Sequence, residues 1–288
     1  MLRGPPGERS PDDLLSFGVV NLDKPPGPSA HQVAAWIRDM TGVDRAAHAG
    51  TLDPKVTGCL PVLLGDATRM AQVFDDSVKE YVAVLELHGP APSDFESVLE
   101  TFEGPIYQKP PRKSAVVRRL RVREIHALDL LELSDRQALL RVRCESGTYI
   151  RKLCHDIGLA LGTGAHMGDL RRTATGSFDD TDLVSLHDLV DALAWAEEDD
   201  TGPLREAVAP AERALVDLPR ATVAESAARE IANGAQVYAP GLLDVDDVNQ
   251  GTLVACYTPD DAAVCLGRLV GDPDAEEGVV IELERVLV

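Results

Sequence analysis

Asp53 is the only carboxylate in the run Ala47-His48-Ala49-Gly50-Thr51-Leu52-Asp53-Pro54-Lys55-Val56-Thr57-Gly58, and the cations Arg45 and Lys55 stand close to it in sequence. So much Gly, Thr and Pro extends neither a helix nor a strand, and loops of that kind are turns or sites. An Asp before Pro, taken alone, is more often a turn or capping residue than a reactive group. As a reactive group it is a carboxylate, and one that must stay ionised in a water-poor pocket calls for a fixed cation. Arg suits that role, being permanently charged and able to hold both oxygens. A second cluster begins at Lys109. Lys109, Arg112, Lys113, Arg118, Arg119, Arg121 and Arg123 put seven cations and no acid into 15 residues. A solvated charged face mixes signs and this run does not, so it reads as a contact for RNA phosphates.

The loop carries a resemblance. His48-Ala49-Gly50-Thr51-Leu52-Asp53-Pro54-Lys55-Val56-Thr57-Gly58 resembles the signature of the TruB-like pseudouridine synthases, with Asp53 in the place of the nucleophile. Its Lys-Val-Thr-Gly continuation looks like the archaeal and eukaryotic, dyskerin-type branch. A dozen near-fixed positions are far more specific than a lone glycine motif. The resemblance implies the remaining site residues. Arg151, in Gly147-Thr148-Tyr149-Ile150-Arg151, takes the place of the family Arg that pairs with the Asp. A buried pair of that kind makes loss of Arg151 expensive, by several kcal/mol. Tyr81 matches the Tyr that stacks on the target uracil and assists proton removal, and Tyr149 a second pocket Tyr. His48 matches a residue beside the displaced nucleotide, Leu170 an apolar pocket wall, and Lys24, before Pro25, a brace for the loop. Core packing is the competing reading for the two Tyr and for Leu170. Isomerising uridine needs neither a metal nor an organic cofactor, because the base serves as its own leaving group and electrophile.

Elements must hold these residues in place. Residues 17–22 read as a strand, and Ser29 with Gln32 forms a capping box opening a helix along Val33, Ile37 and Met40 that stops near Gly42. An apolar run at 59–64, a strand at 81–87, a capped helix at 93–102 and a hairpin of 125–133 with 138–144 follow. Thr148 is the expected N-cap of a helix over 149–161, and another helix follows Ser185. Strands mixed with helices without a strict βαβ repeat predict an α+β catalytic domain over 1–215, with a mainly antiparallel mixed sheet and flanking helices. From 216 to 288, short strands at 252–257, 264–270 and 279–286 alternate with turns around one helix near 225–233, the pattern of a small β-barrel. Ile231-Ala-Asn-Gly-Ala-Gln-Val-Tyr-Ala-Pro-Gly241 resembles a PUA RNA-binding domain. In archaeal relatives the N-terminal arm, here 1–16, packs on that domain.

Composition sets the outer bounds. No apolar run among the 288 residues approaches the roughly 20 needed to span a bilayer, and Met1 to Glu8 lacks the apolar core of a signal peptide, so a cytoplasmic protein without a membrane partner is expected. The five cysteines, odd in number and without CxxC spacing, read as buried thiols rather than disulfides or metal ligands. A net charge of −20 runs against RNA binding, but 22 Arg against 6 Lys, with 29 Asp against 19 Glu, matches proteins of salt-adapted archaea. The resemblance therefore implies a uridine isomerase acting on rRNA as the catalytic subunit of an H/ACA particle, with a guide RNA and small accessory proteins as partners. The alternative is guide-free action on the T-arm of tRNA, and the two are compatible. A non-enzymatic RNA scaffold is disfavoured by the joint presence of Asp53, Tyr81 and Arg151.

Overall fold

The computed structural model describes residues 2–110, 117 and 119–288. Elements in chain order are α1 (Pro11–Ser16), β1 (Gly18–Lys24), α2 (Ala30–Thr41), β2 (Ala46–His48), β3 (Thr57–Leu64), β4 (Lys79–Leu87), α3 (Phe95–Glu100), β5 (Gly104–Gln108), β6 (Arg121–Leu133), β7 (Gln137–Cys144), α4 (Ile150–Ala160), β8 (Ala165–Thr175), β9 (Phe178–Asp179), α5 (Leu186–Glu197), α6 (Gly202–Ala207) and β10 (Ala209–Pro210). These strands form one sheet in the order β10-β1-β3-β8-β4-β7-β6-β5, with β2 on β3 and β9 on β8. Every neighbouring pair is antiparallel except β3 and β8, whose parallel seam joins Thr57 to Arg171 and Gly58 to Arg172.

Local sequence explains most of these elements. Ser29 and Gln32 form the reciprocal capping box of α2, and Gly42 at φ +71° closes the helix in the left-handed conformation a C-cap requires. Ser185 and Asp188 do the same at the start of α5. Along β4, Lys79, Tyr81, Ala83, Leu85 and Leu87 alternate inward, so one face of the strand is core. Two local expectations fail. The helix near 93–102 shrinks to the six residues of α3, with no side-chain cap at Asp94. Tyr149, not Thr148, is the N-cap of α4, because the Thr148 hydroxyl turns back to donate to the Glu145 carbonyl (2.6 Å).

The central strand β8 carries no sequence signal. Ala-His-Met-Gly-Asp-Leu-Arg-Arg-Thr-Ala-Thr lacks alternation, and its largest fully buried side chain is Arg172. Its extended backbone is imposed from both sides by β3 and β4, a tertiary effect that outweighs propensity.

A second sheet follows, made of β11 (Arg220–Val223), β12 (Val237–Tyr238), β13 (Leu242–Val245), β14 (Leu253–Tyr257), β15 (Ala263–Leu269) and β16 (Val279–Val286), with α7 (Glu225–Ala232) beside it. Its order is β12-β16-β15-β14-β11-β13, and β11 pairs in parallel with β14. The expected late strands and helix are present. The short β11, β12 and β13, at two to four residues each, were too brief to show a period. One buried cluster joins the two sheets, with Phe17, Leu63 and Phe74 meeting Tyr257, Leu266 and Leu287. The N-terminal arm crosses the same seam: Arg3 donates to the Leu287 carbonyl (2.9 Å) and pairs with Asp66 (2.6 Å). Among the described residues, no helix is long and apolar enough to cross a membrane.

Candidate active site

The loop between β2 and β3 is held from beneath by buried cations. Lys24, fully buried at the end of β1, donates from Nζ to the carbonyls of Pro25 (2.9 Å), Pro54 (3.0 Å) and Val56 (2.8 Å). Burial pulls its pKa down, and the Asp53 carboxylate opposes that shift. Arg172, 1% exposed, donates through Nε to the Cys59 carbonyl (2.7 Å) and through Nη2 to those of Ala49 (3.3 Å) and Gly50 (3.5 Å). Gly58 sits at φ +96° with a Cβ position 2.2 Å from the Arg172 carbonyl oxygen, so only glycine lets β3 approach β8 here. Lys79, also buried, donates to the Phe74 carbonyl (3.0 Å); burial first, then Arg172, lowers its pKa to about 8.

Above this base Leu52 and Val56 turn into the main core, the cluster that also holds Tyr81, Leu170 and Ile150. The side chain between those two anchors, Asp53, is thereby turned outward, and its Oδ2 contacts Nη2 of Arg151 in the first turn of α4. Asp53 and Arg151 lie 98 residues apart in the chain. The expectation of a buried pair fails: with the described residues in place, each side chain is 53% exposed. An exposed pair contributes about 0.2–1 kcal/mol rather than several, so its value to the fold is small.

Tyr81 and Leu170 are 9% and 8% exposed, on neighbouring positions of β4 and β8. Burial raises the Tyr81 hydroxyl's pKa, and the Arg172 guanidinium beside it offsets part of that rise. Tyr149 is half-buried, its peptide clasped by the side chain of Gln108. His48, at the end of β2, places Nε2 2.6 Å from Nδ1 of His31 on α2. Burial, then His31 and Arg172, lowers its pKa to about 4. A neutral His in the folded state, against an ordinary 6.5 when unfolded, stabilises fully above 6.5 and loses that contribution as pH falls toward about 4. In denaturation titrations, wild type should therefore lose about 1–3 kcal/mol more than His48→Gln across that window. Equal acid sensitivity of the two proteins would refute a buried neutral His48.

Of the basic segment, Lys109 and Arg119 are exposed, and Arg121 and Arg123 lie on β6. Arg123 bends back on the protein, reaching Glu145 (3.5 Å) and packing against Gly147. Arg112, Lys113 and Arg118 lie outside the described residues. Sequence reasoning missed Arg172, Lys79, His31 and Gln108. One signal was available for Lys79: in a chain with 6 Lys against 22 Arg, a retained Lys marks a place where a compact ammonium fits and a guanidinium does not.

A mainly antiparallel sheet with flanking helices, a loop-borne carboxylate touching an Arg, a buried Tyr on the central strands, and a trailing barrel-like sheet define a pseudouridine synthase fold. TruB family pseudouridylate synthase (N terminal domain) matches residues 38–150, and tRNA pseudouridylate synthase B C-terminal domain matches 151–216. A PUA domain matches 219–287 and a DKCLD (NUC011) domain matches 4–34. A probable tRNA pseudouridine synthase B of the halophilic archaeon Haloarcula marismortui is 69% identical, over 100% of this chain and 94% of its own. A crystallised Cbf5-Nop10-Gar1 complex contains a chain with a TM-score of 0.93 and 43% identity, over 100% of this chain and 90% of that one. An H/ACA RNP bound to a substrate RNA containing 2'-deoxyuridine gives a TM-score of 0.92 and 41% identity, over 100% and 90% of the two chains. The chain belongs to the TruB family of pseudouridine synthases and is of the Cbf5 type.

Proposed function

We propose that the protein converts uridine to pseudouridine in rRNA as the catalytic subunit of an H/ACA ribonucleoprotein, with Asp53 as nucleophile. The observation that carries this reading is the contact between Asp53 and Arg151, held at one rim by a loop and a helix whose anchors share the core with Tyr81. In the reaction the C1′–N1 bond breaks, the uracil turns, C1′ joins C5, and the proton leaving C5 is balanced by one gained at N1. Asp53 supplies the electron pair that captures the sugar or an intermediate derived from it, and departs when the new bond forms. Arg151 keeps that carboxylate ionised and aimed. Half-exposed in the protein alone, the pair would be dried by an everted nucleotide settling on it, which strengthens their attraction when chemistry occurs. Tyr81 offers its ring to the uracil. With its pKa raised, the phenol stays protonated near neutrality, so it stacks and relays rather than serving as a standing base. His48 and Leu170 line the approach, Tyr149 positions the pair, Lys24 braces the loop, and the basic run from Lys109 to Arg123 grips phosphate.

The assembly follows from relatives whose solved complexes contain Nop10, Gar1 and substrate RNA. On this reading the chain works with a guide RNA and small accessory proteins, and its 219–287 module binds RNA. The names of the similar proteins favour tRNA as a second substrate. Tritium release from C5-labelled uridine, in molar salt, separates the two. Guided rRNA should react only with guide RNA and partner proteins, whereas a free T-arm that reacts faster without them would reverse the assignment.

A further inference from the structure

Gln108 has no part in the scheme above, yet it is 2% exposed and makes a two-point contact with the site helix. The Tyr149 N–H donates to Gln108 Oε1 (2.9 Å), and Gln108 Nε2 donates to the Tyr149 carbonyl (3.2 Å). The amide thus pairs with both backbone groups of Tyr149, its N–H and its carbonyl, as a β-strand neighbour would. Tyr149 is the N-cap of α4 and offers no side-chain cap, and Gln108 takes up its N–H as the reciprocal half of a capping box would. The same Tyr149 carbonyl accepts from the N–H groups of Lys152 and Leu153 (3.0 Å each), so Gln108 touches the turn that carries Arg151. On its other side Gln108 ends β5, opposite Arg121 of β6, and the next residue is Lys109, where the basic run begins. Arg123 adds a second tie between that strand pair and the Gly147 turn.

We propose that Gln108 is a positioning residue that fixes the start of α4, and with it Arg151 at Asp53, in register with the root of the basic segment. Through it, RNA held by the basic segment and the reacting pair keep one geometry. This rests on the function proposed above. A buried amide makes an efficient link because it can accept and donate in one plane, and a shift of about 1 Å in a catalytic group lowers rate by up to roughly 100-fold.

The test uses the full chain assembled with guide RNA and partner proteins. Gln108→Met keeps length and removes both hydrogen bonds. Its single-turnover rate should fall about 10- to 100-fold while affinity for the guided RNA changes by less than about threefold. On an Arg151→Ala background the same substitution should lower the rate by less than about threefold, because Gln108 acts through Arg151. Gln108→Glu supplies an independent readout if the Met variant does not fold. A protonated carboxyl can both accept and donate, so its rate relative to wild type should rise as pH is lowered. A rate within threefold of wild type, a full additional loss in the Arg151→Ala background, or a loss of rate matched by RNA affinity would each overturn the proposal. Absence of isomerisation by the wild-type assembly itself would instead refute the function on which it rests.

Discussion

Asp53→Asn is expected to abolish isomerisation while leaving the protein folded and bound to RNA. The amide is the same size as the carboxylate and sits on the same two anchors, Leu52 and Val56, which stay in the core. On the proposed mechanism, what disappears is the electron pair that attacks carbon, and loss of a covalent nucleophile lowers rates by more than about 10,000-fold. Stability should change by about 1 kcal/mol or less, since the lost ion pair is half-exposed. Single-turnover tritium release measures the first effect, and thermal unfolding with filter binding the second. Activity of the Asn variant within about tenfold of wild type would remove Asp53 as the nucleophile.

Breaking the buried pair between Arg9 and Glu212 should have the largest effect on stability. Arg9 is 3% exposed and grips both Glu212 oxygens, Nη1 to Oε2 at 2.7 Å and Nη2 to Oε1 at 2.6 Å. Glu212 also accepts from the Ala263 N–H (3.0 Å), so this carboxylate ties the N-terminal arm to the second sheet. Arg9→Ala strands a buried charge and should destabilise by about 3–5 kcal/mol, lowering the melting temperature by roughly 10 °C in a chain of this size. Adding Glu212→Leu should recover much of that loss, because two apolar side chains replace a buried pair at little net penalty. The unpaired Ala263 N–H then leaves a deficit of about 1–3 kcal/mol. Additive losses in the double variant would show that the pair does not act as a unit.

The contrast between the two ion pairs bears on what a sequence can tell. Arg9–Glu212 is buried and structural, and nothing in its flanking residues announced it; its partners meet only because the arm folds back over 203 residues. Asp53–Arg151 was legible through two motifs, yet its burial was misjudged, since exposure depends on what the rest of the chain packs around the two side chains. Lys24 read as a loop brace, and its ammonium donates to three carbonyls, those of Pro25, Pro54 and Val56. Arg172 escaped notice because a guanidinium in a polar strand resembles a solvated one until its neighbours enclose it.

The amino-acid order alone determined what local physics controls. The capping boxes at Ser29 and Ser185, the period-2 burial of β4, the turn chemistry of the Asp53 loop and the unmixed basic run all act over a few residues, so each could be read without a fold. Tertiary structure decided whatever depends on distant partners. That includes the parallel seam of β3 with β8, the buried cations beneath the loop, the half-exposed setting of the Asp53–Arg151 pair and the clasp of Gln108 on Tyr149. In each of these, polar groups of backbone or side chain find their partners across long sequence separation. The energy of that meeting belongs to the enclosure the whole chain builds, and no segment contains it.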